Sequence, residues 1–80
     1  MDYSFSQLSN IAKSLRERYP IGTRIKLISM GDDPRPIPPG TKGTVEGIDY
    51  IATVFCRFDN GRSLGLAYGE DHYRALTQAE

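Results

Sequence analysis

Tryptophan is absent from this chain, and cysteine and histidine occur once each, as Cys56 and His72. A lone cysteine forms no intrachain disulfide and no multi-cysteine zinc site. The chain does not depend on oxidising surroundings, so the cytoplasm is the expected location. A lone histidine needs a positioned partner and a nucleophile to act as a general base. Asp71 adjoins His72, but strand neighbours point to opposite faces. Net charge is also absent, because ten basic and ten acidic side chains cancel. Proteins that grip a nucleic-acid backbone usually carry a basic excess, so only a local patch could serve that role here. No apolar run approaches the ~20 residues that span a bilayer. The start of the chain lacks the basic region and apolar run of a secretory signal. No membrane role is expected. With 80 residues there is room for one small domain, which buries roughly 60% of its extended surface.

What the chain does hold is punctuation. Met30 to Thr41 carries four prolines, Pro34, Pro36, Pro38 and Pro39. They cannot supply the donors of a central strand, and they limit the unfolded chain's freedom, which favours an ordered loop. Gly40 and Gly43 then permit backbone angles that a side chain would forbid. Strands are expected over Thr23–Ser29, Lys42–Ile48, Ile51–Phe58, Arg62–Leu66 and Tyr73–Leu76, where apolar and polar residues alternate. Asn60-Gly61 between two of them reads as a type I′ hairpin turn, with positive φ at both residues. Ile25, Leu27, Val45, Val54, Phe58, Leu64 and Leu66 form the expected core.

Residues 4–18 read as a helix. Ser4 and Gln7 make a capping-box pattern, and Pro20 disfavours helical angles at Tyr19. Phe5, Leu8, Ile11, Ala12 and Leu15 recur on one face. That stripe should pack on the sheet, with a homodimer as the other possible cover. The expected division is a helix over 1–18, a β-domain over 19–76 and a frayed tail over 77–80. The fold class is mainly β: a small barrel of about five antiparallel strands behind an N-terminal amphipathic helix.

The segments YPIGTRIKLISMGDDPRPIPPGTKGTV, VFCRFDNGRSLGL and YGEDHYRAL resemble the family catalogued as domain of unknown function 4314. Tyr19, Pro20, Gly22, Thr23, Pro36 to Val45, Asp59 to Gly61, Ser63, Leu64, Gly69 and Asp71 carry the resemblance. It runs from about Tyr19 to Leu76 and leaves the helix outside. Phe58 stands where the family often has a tryptophan. The resemblance implies an SH3-like barrel and an origin in bacteria, phages or mobile elements. It implies no activity and no catalytic residue.

The remaining residues favour binding over catalysis. Asp32-Asp33 and Glu70-Asp71 lack the spacing of a calcium loop, so no metal and no cofactor is expected. These carboxylates suit turns, or pairs with Arg35 and Arg74. Cys56 alternates with Val54 and Phe58 as a core residue does. Gly40-Thr41-Lys42-Gly43 lacks phosphate-loop spacing and precedes a strand. Tyr50, Phe55, Tyr68 and Tyr73 lie at strand ends or opposite the expected core. Beside Asp32, Asp33 and Arg35 of the loop they could line a groove for an extended peptide. A non-enzymatic protein-interaction adaptor is therefore the leading expectation. The alternative is a nucleic-acid-binding module with a stripe of Arg24, Lys26, Arg57 and Arg62. A phage counter-defence protein that binds a host factor or a nucleotide signal follows from the resemblance alone.

Overall fold

A computed structural model describes residues 3–80 of the chain. The Ser4 hydroxyl accepts from the Gln7 amide at 3.1 Å, and the Gln7 side chain accepts from the Ser4 amide at 2.8 Å. This reciprocal cap opens helix α1, Phe5–Arg18. Tyr19 leaves the helical region ahead of Pro20, and its amide still reaches the Leu15 carbonyl at 2.7 Å. Ala12 and Leu15 are buried against the sheet, with Leu8 and Ile11 half-buried beside them. The helix thus covers its own sheet. Phe5 departs from the expected stripe: it is 63% exposed and packs on the Tyr50 ring, 5.7 Å between centroids. The first helical turn meets the loop before the third strand, not the core.

Five antiparallel strands follow: β1 Arg24–Ser29, β2 Lys42–Ile48, β3 Val54–Phe58, β4 Ser63–Leu66 and β5 His72–Ala75. Their order in the sheet is β4-β3-β2-β1-β5. The expected closed barrel does not form. No ladder joins β4 to β5, so each remains an edge. The link between these edges, Ala67–Asp71, folds on itself as a turn, with the Asp71 amide bonded to the Ala67 carbonyl at 3.0 Å. A link so contracted cannot cross a flat sheet of five strands at about 4.8 Å spacing. The sheet therefore curls enough to bring its edges together at this end, but a turn joins them instead of strand pairing.

The core lies inside this curl. Ile25, Leu27, Val45, Val54, Phe58 and Leu66 are all buried as expected, while Leu64 is only partly so. A bulge in β2 sets the phase of the second half of that strand. Val45 opposes Cys56, Gly47 opposes Phe55, and Glu46 is the extra residue between them. The shift carries Ile48 to the face that Val54 occupies.

Three local expectations need correction. Asn60 does not take positive φ; among the described residues only Gly61 of that pair does, at 89°. The Gly61 amide bonds to Phe58 O and the Phe58 amide to Arg62 O, so the hairpin is a three-residue loop ending in a glycine bulge. The third strand begins at Val54, not Ile51. Asp49 Oδ1 accepts from the amides of Ile51 and Thr53, at 3.0 and 2.9 Å, and this turn places buried Ala52 at φ 65°. Residues 77–80, expected as a frayed tail, form a turn in which the Glu80 amide bonds to Thr77 O at 3.1 Å.

The proline-rich loop is tied at both ends. The Gly40 amide donates to Leu27 O at 2.7 Å, and the Leu27 amide donates to Thr41 O at 2.9 Å. Between them Ile37, absent from the expected core, is 1% exposed. Ile37→Ala should therefore cost about 2–5 kcal/mol in denaturant unfolding, whereas exposed Pro38→Ala should cost under about 1 kcal/mol. Equal losses would show that the prolines, not Ile37, anchor the loop. Gly43→Ala should cost about 1–3 kcal/mol by overpacking, since its new methyl would lie 2.9 Å from the Phe58 ring and 3.0 Å from the Arg57 carbonyl.

Candidate functional site

A groove of about 310 Å³ opens between α1 and the turn that leads into β5. Four tyrosines line it, and they come from separate parts of the chain: Tyr3, Tyr19, Tyr68 and Tyr73. They meet as two edge-to-face pairs. Tyr3 and Tyr68 lie 5.3 Å apart between centroids, and Tyr19 and Tyr73 lie 5.2 Å apart. Such contacts fix ring orientation as well as bury area. The Arg18 guanidinium sits 5.3 Å from the Tyr19 ring centre and contributes a cation to the wall. Asp71 also lines the groove, but its carboxylate is engaged by the Gly31 and Ala67 amides, each at 2.8 Å. It supports the wall and is not open to a ligand.

Of the expected binding residues, only Tyr68 and Tyr73 reach this groove. Tyr50 instead packs on Phe5 at the start of the helix. Phe55 sits on the sheet face turned away from the core, opposite Gly65, where its ring occupies the space a side chain would need. Asp32, Asp33 and Arg35 do not line the groove. Asp33 closes a turn on the Arg35 amide at 2.7 Å, and the Arg35 carbonyl accepts from Arg62 at 2.6 Å. Sequence reasoning missed Tyr3, Tyr19, Arg18 and His72 as groove residues. Tyr19 gave a signal, a large aromatic at the helix end, but it served there only as a boundary marker.

The outer sheet face gathers cations. Arg24 and Lys26 of β1 and Arg57 of β3 share it, while Arg62 turns to the loop. Arg24 forms a two-pronged bond to Asp59, at 2.8 and 2.6 Å, and also donates to the Thr44 hydroxyl. Arg57 lies 3.7 Å from Glu46. Lys26 and Arg74 share Glu80, at 2.5 and 2.6 Å. The expected basic stripe is therefore largely matched with carboxylates.

The chain belongs to the family described as Domain of unknown function (DUF4314). The match covers residues 8–76, so most of α1 lies inside the family region and not outside it as the motifs alone implied. No match is found among curated proteins. Among the described residues no helix is long and apolar enough to cross a membrane, and no group of three His, Cys, Asp or Glu side chains could hold a metal ion.

The ionisable groups of this DUF4314 domain follow their surroundings. Burial pushes the Cys56 thiol up to about 12, with nearby Glu46 adding to the shift. Burial likewise raises the Tyr73 phenol to about 12, helped by Tyr19. The Arg24 fork holds the Asp59 carboxyl below its usual range, and Arg74 with Lys26 does the same for Glu80. A lowered carboxyl stabilises the fold above its unfolded value near about 4, and the contribution is lost as pH falls through the folded value. The Arg24–Asp59 pair is open to solvent and the Glu80 cluster is partly so, which keeps the effect small and screened. Thermal melts of the wild type should therefore show a modest loss of stability below about pH 4, weaker in Asp59→Asn and in about 1 M salt. An acid slope untouched by Asp59→Asn would remove that pair from the account. On the alkaline side Tyr73 favours the fold below about pH 10, and this is lost as pH rises towards its folded value.

Proposed function

We propose that this DUF4314 domain is a non-enzymatic protein-interaction module, and that its groove receives an extended, proline-containing segment of a partner protein. The convergence of four tyrosines on one groove carries the reading. Aromatic-lined grooves suit polyproline-type peptides, whose conformation is set before binding and whose rings and methylenes pack on flat side chains. Tyrosine offers contact area at low entropic cost and a hydroxyl at the rim. Arg18 gives the groove a positive end, so the segment should carry an acidic residue there. The buried Cys56 thiol, held in its protonated form, supports a binding role over a nucleophilic one. An origin in a bacterium, phage or mobile element, and a cytoplasmic setting, rest on the resemblance and the composition.

Nucleic-acid binding is the second reading, favoured by the shared face of Arg24, Lys26 and Arg57. It ranks lower because those cations already face carboxylates.

Selection from a displayed library of proline-containing peptides tests the first reading. Enriched peptides should shift the amide signals of Tyr68, Gly69 and His72. Tyr68→Ala should weaken them about tenfold or more, as loss of an aromatic anchor does, while Tyr50→Ala should leave affinity unchanged. The reading fails if no peptide perturbs the groove, or if binding ignores Tyr68 and instead falls steeply with salt on an oligonucleotide.

A further inference from the structure

The outer sheet face places three cations abreast. Lys26 of β1 stands directly opposite Arg74 of β5 on one side and Lys42 of β2 on the other. Like charges at directly opposed positions repel, so such a row favours the arrival of an anion. The neighbouring cation Arg24 has its carboxylate supplied from the sheet's own hairpin, by Asp59. The Arg74–Lys26 pair does not. Its anion comes from beyond β5, on the turn that ends at Glu80.

Glu80 fills the cradle closely. One carboxylate oxygen takes Arg74 Nη1 at 2.6 Å and the Thr77 amide at 3.1 Å. The other takes Arg74 Nη2 at 2.7 Å and Lys26 Nζ at 2.5 Å. Among the described residues Lys42 makes no direct ion pair, and its charge reaches Asp59 only at longer range. All three cations lie within the family region, residues 8–76, whereas Glu80 lies outside it. The cradle is therefore built from paired strands, and its occupant from a short turn held by few bonds. Segments of that kind open at low cost.

We infer that the Arg74–Lys26–Lys42 row is a receptor for an acidic segment of a partner protein, and that Glu80 is its tethered stand-in. A peptide is favoured because the group now seated there is a peptide carboxylate, bonded together with its own turn's amide. Adjacent strands are about 4.8 Å apart, and residues i and i+2 of an extended chain about 6.8 Å apart. One carboxylate can then sit between Arg74 and Lys26 while the carboxylate two residues further on meets Lys42. The ligand class is an extended segment with acidic residues at alternate positions. This surface lies on the sheet face away from the tyrosine groove and does not rest on that reading.

The test uses the whole chain and a fluorescein-labelled octapeptide alternating glutamate and serine, with a glutamine-serine octapeptide as control. A short tether holds Glu80 at an effective concentration of about millimolar, so the wild type should bind weakly. Glu80→Gln should tighten binding about tenfold. Adding Lys26→Ala or Lys42→Ala to that variant should reverse the gain, and Tyr68→Ala should change nothing. In the unsubstituted chain, saturating peptide should shift the Thr77 amide signal as Glu80 leaves. The inference is overturned if Glu80→Gln binds no tighter while its melting curve shows it folded. A Thr77 signal that stays in place at saturation overturns it too, as does an oligothymidylate of equal charge that outcompetes the peptide.

Discussion

The carboxylate of Asp71 holds together what the sheet's own ladder leaves apart. One oxygen accepts from Gly31, where the chain leaves β1, and the other from Ala67, where it leaves β4. The Asp71 amide bonds back to the Ala67 carbonyl. Two segments distant in sequence, the exit of β1 and the turn between β4 and β5, thus meet at one half-buried side chain. A closed barrel would achieve this with backbone pairing along whole strands. Here the two four-residue edges are joined by a turn instead of a ladder, and a side chain substitutes. The tyrosine groove exists because of this substitution. Tyr68 sits in the turn that Asp71 closes, and Tyr73 lies two residues beyond it, so the wall against α1 is positioned by Asp71.

The curl also divides the molecule into two chemically distinct sides. The inner side is apolar and ends in the aromatic groove. Two of its titratable groups, Cys56 and Tyr73, are pushed towards their neutral forms by burial. The outer side carries the charges, and there the shifts run the opposite way, with Asp59 and Glu80 held ionised by arginine. One sheet can present both because side chains alternate across it. The bulge at Glu46 keeps that alternation in phase with the core on both halves of β2.

Much of the scaffold was legible in the sequence. Ser4 with Gln7 marked the helix start, Pro20 its end, and period-two alternation found every strand to within a few residues. These signals are local, and the physics behind them is local too. What was not legible depended on partners far along the chain. Ile37 lies between two prolines and reads as loop, yet tertiary packing buries it. Asn60-Gly61 suits a type I′ turn, but the Phe58–Arg62 pairing adds a residue and leaves only Gly61 needing positive φ. Ala52 reads as strand, and the bonds that Asp49 makes to Ile51, Ala52 and Thr53 explain its left-handed backbone. The groove was half legible: exposed tyrosines were noticed, but their pairing with Tyr3 and Tyr19 depends on how α1 crosses the sheet. The loop reads as part of the same groove, but Asp33 closes a turn on the Arg35 amide within the loop.

Asp59 shows why two arginines on one face differ in availability. As a hairpin residue it is fixed by the β3–β4 turn, and its amide bonds to the Lys42 carbonyl. Its carboxylate is thereby carried to Arg24 by the fold itself, so separating that pair requires moving a turn that register holds in place. Glu80 has no such support from the sheet. Its own bonds to Thr77 define its turn, and its hold on the strands is through Lys26 and Arg74. Both carboxylates sit in arginine forks of nearly the same length. Bond length alone would rank them equal. The difference lies in what must be disordered to break them: the ladder of β2, β3 and β4 for Asp59, and a few residues after β5 for Glu80. Exchange of partners on this face should therefore begin at the β5 edge, where the cations belong to the strands and the anion does not.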